Sequence, residues 1–137
     1  MEPTMTTRAL PWTPPIGVQL LPAGRWWDAV RVPVHLGDDA LHLLGENTGA
    51  VIGDSLGRAL WWLIKPGAAV HWDPLPSVKV YGDTAYVEVP STERTAGPGV
   101  HWRVPPTAEH LTGAAALHFA LQVASQDAEV ARRRGRT

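Results

Sequence analysis

Short apolar runs separated by turns rich in glycine and proline occur along most of this 137-residue chain. The 13 glycines and 13 prolines supply the turns, and runs this short are typical of β-strands rather than long helices. The clearest pair, residues 48–52 and 58–64, flanks Gly53-Asp-Ser-Leu-Gly57. This pair predicts a hairpin at the centre of a sheet, with Trp61 and Trp62 on opposite faces.

Further runs predict the remaining strands, at residues 16–21, 26–32, 78–81, 85–89 and 100–104. Residues 78–81 and 85–89 flank Gly82-Asp83 and predict a second hairpin, and residues 82–106 predict a third that presents the polar loop 90–99. A short helix is expected at residues 38–44 with Asp38 as N-cap, Asp39 in the first turn and Gly45 as terminator. A C-terminal helix is expected after Thr112, its predicted N-cap.

These elements predict an α+β fold: a mostly antiparallel sheet of about five to seven short strands, with the short helix and the C-terminal helix packed on it. The length suits one domain. We place a Pro-rich arm at residues 1–15, the domain at residues 16–131 and a basic tail at residues 132–137.

Composition excludes several classes of chemistry. The chain has no cysteine, which rules out disulfides, thiolate metal sites and a cysteine nucleophile. Its net charge of -1 means that any binding to nucleic acid must be local. The first residues lack an export signal and no apolar run is long enough for a membrane span, so we expect a cytoplasmic protein without a membrane partner.

One stretch has the spacing of a metal site. His35, Asp38, Asp39 and His42 would share one face of a continuous helix, and imidazoles with carboxylates are ligands for divalent metals. Pro33 and Gly37 argue against a helix through His35, and capping explains both aspartates. The sequence therefore favours no bound metal or cofactor.

A nucleophilic triple is the other catalytic candidate. Ser91, His101 and either Asp73 or Asp83 are the residue types of a nucleophile, a base and an orienting carboxylate. No nucleophile-elbow motif surrounds Ser91, and loop serines commonly bond to backbone. We favour the structural interpretation.

Aromatic and basic residues alternate in several places and suggest a binding surface. Exposed rings stack on bases and cations contact phosphates, which are the needs of single-stranded nucleic acid. Indoles of the seven tryptophans are also expected in the core. The candidate binding residues are Lys79, Ser91, Arg94, His101, Trp102 and Arg103.

Three segments together resemble one family. Gly45-Glu-Asn-Thr-Gly-Ala-Val-Ile-Gly53, followed by Arg58-Ala-Leu-Trp-Trp-Leu, resembles the Asn-x-Gly-hydrophobic-x-x-Gly strand pair of primase-polymerase N-terminal domains of the archaeo-eukaryotic primase type. Thr84-Ala-Tyr-Val-Glu-Val-Pro-Ser91 and Gly97-Pro-Gly-Val-His-Trp102 are similar to that family's late hairpin. Residues 17–22 correspond to its first strand, so the resemblance spans residues 16–106.

The resemblance does not extend to the catalytic residues. The family carries paired aspartates for its metals where this chain has Leu60-Trp61-Trp62-Leu63, and nothing in residues 65–77 matches the family's Ser-Gly-Gly-x-His segment. Nucleotidyl transfer with two metals requires carboxylates to hold the ions. The resemblance therefore implies a non-catalytic binding or accessory module, with single-stranded nucleic acid or a replication-related protein as candidate partners. A metal-assisted enzyme of small substrates and a protein-interaction module with exposed tryptophans are the alternatives.

Overall fold

The computed structural model describes residues 10–107 and 111–135. Seven strands and two α-helices occur in these ranges, which confirms the predicted α+β fold. In chain order they are β1 (Val18–Pro22), β2 (Asp28–Pro33), α1 (Val34–Leu44), β3 (Val51–Asp54), β4 (Ala59–Ile64), β5 (Lys79–Tyr81), β6 (Tyr86–Pro90), β7 (Val100–Val104) and α2 (Ala114–Arg134). A 3-10 turn, Gly45–Asn47, follows α1. Neither described helix is sufficiently long and apolar to cross a membrane.

The strands form two antiparallel sheets. The larger sheet has the order β5-β2-β4-β3-β7, so the hairpin of β3 and β4 provides its centre, as predicted. The smaller sheet pairs β1 with β6, and we call it the ribbon. A different layer covers each face of the large sheet, so its central strands need apolar side chains on both faces.

The helices cover one face of the large sheet. Val32, Leu60 and Trp62 pack there with Leu36 of α1 and Leu121 of α2. All five side chains are buried, and the indole N–H of Trp62 donates to the Thr48 hydroxyl at 3.1 Å. Both helices therefore pack on one face of the sheet, as expected.

The ribbon covers the opposite face, together with the segment before β1. Trp12, Trp27 and Trp102 form a buried cluster, with the ring of Trp12 6.1 Å from that of Trp27 and 6.0 Å from that of Trp102. Val87 and Val89 of β6 pack against it. The segment assigned to the arm thus contributes Trp12 to the core, and α2 continues through Arg134 into the predicted tail.

Two predicted hairpins are wrong. β5 pairs with β2 and β6 pairs with β1, so the chain passes from the large sheet to the ribbon at Gly82-Asp-Thr-Ala85. Thr84 has a positive φ of 74° there, and the Ala85 amide donates to the Gly82 carbonyl at 3.0 Å. β7 pairs with β3 rather than with β6. Residues 82–85 do form a turn, as predicted, but a tight turn does not require its two flanking strands to pair with each other.

The helix starts also differ from the prediction. α1 begins at Val34 directly after Pro33, and therefore Asp38 and Asp39 lie inside the helix instead of at its start. Gly45 ends it with a φ of 54°, as predicted. Gly113 occupies the N-cap position of α2, while the Thr112 hydroxyl accepts a hydrogen bond from the Gly49 amide at 2.8 Å. The Thr112 amide also donates to the Leu63 carbonyl of β4 at 3.0 Å, so Thr112 fixes the start of α2 to the large sheet.

Candidate functional site: a groove beside the ribbon

A groove separates the ribbon from the turn between β3 and β4. It consists of two adjoining depressions that share Asp54, Glu88 and Val100. The inner cavity has a volume of about 190 Å³ and includes Trp61 and Tyr86 in its walls. The outer depression is open, with a volume of about 550 Å³ and Leu56 on its wall.

Apolar side chains on the groove are unusually exposed. Leu56 is 80% exposed, and Leu20 and Tyr86 are each 63% exposed. They occupy three different strands or turns, because Leu20 lies on β1, Tyr86 on β6 and Leu56 in the turn after β3. Scattered exposed apolar residues are ordinary, but several of them on the walls of adjoining depressions indicate an interaction surface.

Alternation along the ribbon explains why these side chains point outward. Leu20 pairs with Glu88, and Pro22 pairs with Tyr86, so the outer ribbon face carries all four of these residues. The intervening residues of β6, Val87 and Val89, point into the core and are buried. The outer ribbon face thus carries apolar side chains beside Glu88, and within the described residues nothing covers it.

The charged side chains of the groove differ in whether they already have a hydrogen-bond partner. One Asp54 oxygen accepts a hydrogen bond from the Gly57 amide at 2.9 Å. The Glu88 carboxylate is exposed and has no hydrogen-bond or ion-pair partner in residues 10–107 and 111–135. Arg94, in the outer depression, donates to the carbonyls of Val100 at 3.1 Å and Pro98 at 2.9 Å. Arg94 is therefore held by its own loop.

Four residues form a row of cations and aromatic rings on one face of the large sheet, and we call them the cation–aromatic row: Arg31, Trp61, Lys79 and Tyr81. Arg31 pairs across strands with Trp61 on one side and Lys79 on the other, so these side chains share a face. The guanidinium of Arg31 lies 5.9 Å from the Trp61 ring, and Lys79 lies 5.0 Å from the Tyr81 ring. The rings of Trp61 and Tyr81 are 5.0 Å apart.

The six candidate binding residues do not form one surface. Trp102 is 1% exposed, and its indole N–H donates to the Pro90 carbonyl at 3.0 Å. Ser91 is also buried, and its hydroxyl has no hydrogen-bond partner within the described ranges. Neither side chain is accessible to a ligand in this structure.

The other four candidates lie at separate places. Arg94 lines the groove, and Lys79 belongs to the cation–aromatic row on β5. His101 lies over Gly53, with its Nδ1 3.0 Å from the Gly99 carbonyl. Arg103, on the opposite edge strand β7, forms an ion pair of 3.0 Å with Asp38 of α1.

The proposed metal ligands share a helix face but do not form a site. α1 does run through His35, so Pro33 and Gly37 do not break it as expected, because Pro33 only precedes its first turn. His35, Asp38, Asp39 and His42 are all exposed. Within the described residues, no three histidine or acidic side chains are placed to hold a metal ion.

Zinc is accordingly expected to leave the melting temperature of the protein unchanged. A ligand at about 100 times its Kd stabilises a folded protein by about 2.7 kcal/mol, which differential scanning fluorimetry detects readily. A rise in melting temperature on addition of zinc that His42→Ala abolishes would contradict this expectation.

Sequence reasoning overlooked the groove residues Leu20, Leu56 and Tyr86. The available signal was the alternation of β1 and β6, but it assigns a face only when the partner strand is known. The sequence predicted that β6 pairs with β5, and that pairing does not show which side chains lie on the outer face of the ribbon. No family model matches the chain, and comparisons with curated proteins and with solved structures returned no match either.

Proposed function

We propose that this chain is a non-catalytic accessory module that binds a protein partner in the groove. The observation that carries the proposal is the strong exposure of three apolar side chains, Leu20, Leu56 and Tyr86, on the walls of two adjoining depressions. Burial of such side chains is the main favourable contribution to protein association. The tryptophans, which a protein-interaction module was expected to expose, contribute only the partly buried Trp61 here.

The groove suits an extended segment of a partner. The strand β1 pairs on only one side within the described residues, and its outer side chains are apolar. An unpaired edge accepts an added strand through backbone hydrogen bonds, while pockets beside it accommodate alternate side chains. The proposed mode of binding is therefore addition of a strand at β1, with side chains entering the groove.

The resemblance to primase-polymerase domains suggests what kind of partner to seek. Leu60-Trp61-Trp62-Leu63 forms most of the central strand β4, where the resembled family carries its metal-binding aspartates. We propose a catalytically inactive descendant of that fold that acts in the cytoplasm on a replication-related protein.

Single-stranded nucleic acid is the second candidate ligand, favoured by the cation–aromatic row. Two rings and two cations on adjacent strands are the components of a stacking surface. Both of its rings are already partly covered. We therefore rank it second.

A photocrosslinking experiment in the host cell tests the proposal. The photoreactive residue p-benzoylphenylalanine replaces Leu56 in the groove or, as a control, Val70, which is 74% exposed and lies outside the groove. We expect a protein adduct from position 56 that is absent from position 70. The further change Leu20→Ala should weaken it, because it removes apolar surface that the partner buries.

The other outcomes separate the candidates. An adduct at position 56 that disappears with nuclease would replace the protein partner by nucleic acid. Identical adduct patterns from positions 56 and 70, or none from position 56, would refute docking in the groove. All three sites are exposed, so the substitutions should leave the fold intact.

A further inference from the structure

We infer that the inner cavity of the groove selects a lysine or arginine side chain of the docked segment. This inference depends on the proposed protein-binding function and specifies the chemistry of the partner. The cavity of about 190 Å³ has two aromatic rings, Trp61 and Tyr86, and two carboxylates, Asp54 and Glu88, in its walls. A single water molecule needs only about 10–15 Å³ of such space, so the cavity has room for a group much larger than water.

The walls match both parts of a cationic side chain. Aromatic rings attract ammonium and guanidinium groups, and carboxylates add direct charge complementarity. Leu20 and Val100 supply apolar surface for the methylene stem, which lysine and arginine bury while their charged ends reach polar groups. A purely apolar side chain would leave the Glu88 carboxylate without a partner, and an acidic one would be repelled.

The distribution of charge around the cavity supports a cation. No basic side chain among the described residues lines the inner cavity, whereas two carboxylates do. Arg31 approaches Trp61 at 5.9 Å but donates to the Gly57 carbonyl at 3.2 Å and is not part of the wall. Arg94 lines only the outer depression and is hydrogen-bonded to two carbonyls.

The roles of the two carboxylates differ. Asp54 already accepts the Gly57 amide at 2.9 Å, which fixes the turn between β3 and β4. Glu88 is free of such a bond within residues 10–107 and 111–135, and it pairs directly with Leu20 across the ribbon. Glu88 is therefore the residue to test, because its change to glutamine does not disturb a hydrogen bond.

Amino-acid amides serve as probes for the cavity. N-acetyl-lysine methylamide and N-acetyl-arginine methylamide carry the cation, and N-acetyl-norleucine methylamide has an uncharged stem of similar length. Methyl NMR signals of Leu20, Val87 and Val100 report binding at the cavity wall. We expect saturable shifts, with at least one cationic probe binding at least about fivefold more tightly than norleucine.

Glu88→Gln should abolish most of this preference, whereas Glu93→Gln should preserve it, because Glu93 is exposed and not part of either depression. Raising the salt concentration should weaken the cationic probes only. Norleucine binding as tightly as both cations, an unchanged preference in Glu88→Gln, or no saturable shift with any probe would overturn the inference. None of these results decides whether a partner docks in the groove, because the crosslink at position 56 tests docking separately.

Discussion

Replacing Trp102 by alanine is expected to lower the free energy of unfolding by about 3–5 kcal/mol, the usual cost of removing a large aromatic side chain from a core. The ring is 1% exposed and contacts the Trp12 ring in the layer between the large sheet and the ribbon. The substitution also leaves the Pro90 carbonyl without the indole donor that lies 3.0 Å away. Urea denaturation followed by circular dichroism measures the loss.

Trp61→Ala provides the matched control for this experiment. Trp61 is only partly buried at the groove, and so its removal should cost clearly less stability than the removal of Trp102. If Trp102→Ala unfolded at the same urea concentration as the parent protein, Trp102 would have to be a surface residue, and the packing of the ribbon on the large sheet would be wrong.

Thr112→Val is expected to destabilise the protein by about 1–3 kcal/mol, because it leaves a buried amide without an acceptor. The Gly49 amide donates to the Thr112 hydroxyl at 2.8 Å, and both residues are buried. Valine has nearly the same shape as threonine, so packing changes little. Hydrogen exchange of the Gly49 amide should become faster in the variant.

Thr112→Ser separates the hydrogen bond from packing. Serine retains the hydroxyl and loses one methyl group, and thus the Gly49 amide should stay protected in this variant. Equal protection of that amide in Thr112→Val and Thr112→Ser would show that the hydroxyl does not provide its acceptor.

The strands were predictable because the residue pattern that favours each strand lies within a short stretch of the sequence. Periodicity and turn residues located all seven strands to within a few residues, and the Gly53-Asp-Ser-Leu-Gly57 turn correctly gave the central hairpin. Pairing of β6 with β1 was not predictable in this way. Nothing between Gly82 and Ala85 reveals that the chain changes layer there, since the same glycine and aspartate suit a hairpin.

The candidate site was less predictable than the fold, for a related reason. His101, Trp102 and Arg103 are consecutive, yet the first lies over Gly53, the second is buried under the ribbon, and the third reaches Asp38. The groove residues, in contrast, come from β1, β6 and the β3–β4 turn. Only the tertiary pairing brings them together, and a single sequence does not report it.

The pairing of Val18 with Pro90 has a consequence for how the chain matures during synthesis. Among the described strands β1 leaves the ribosome first, but the four strands β2 to β5 must be made before β6 emerges to join it. Closing so long a segment carries an entropic cost before any contact compensates for it. The nascent β1 therefore has both of its backbone edges open until β6 is made, and of the described strands only β7 of the large sheet is made later.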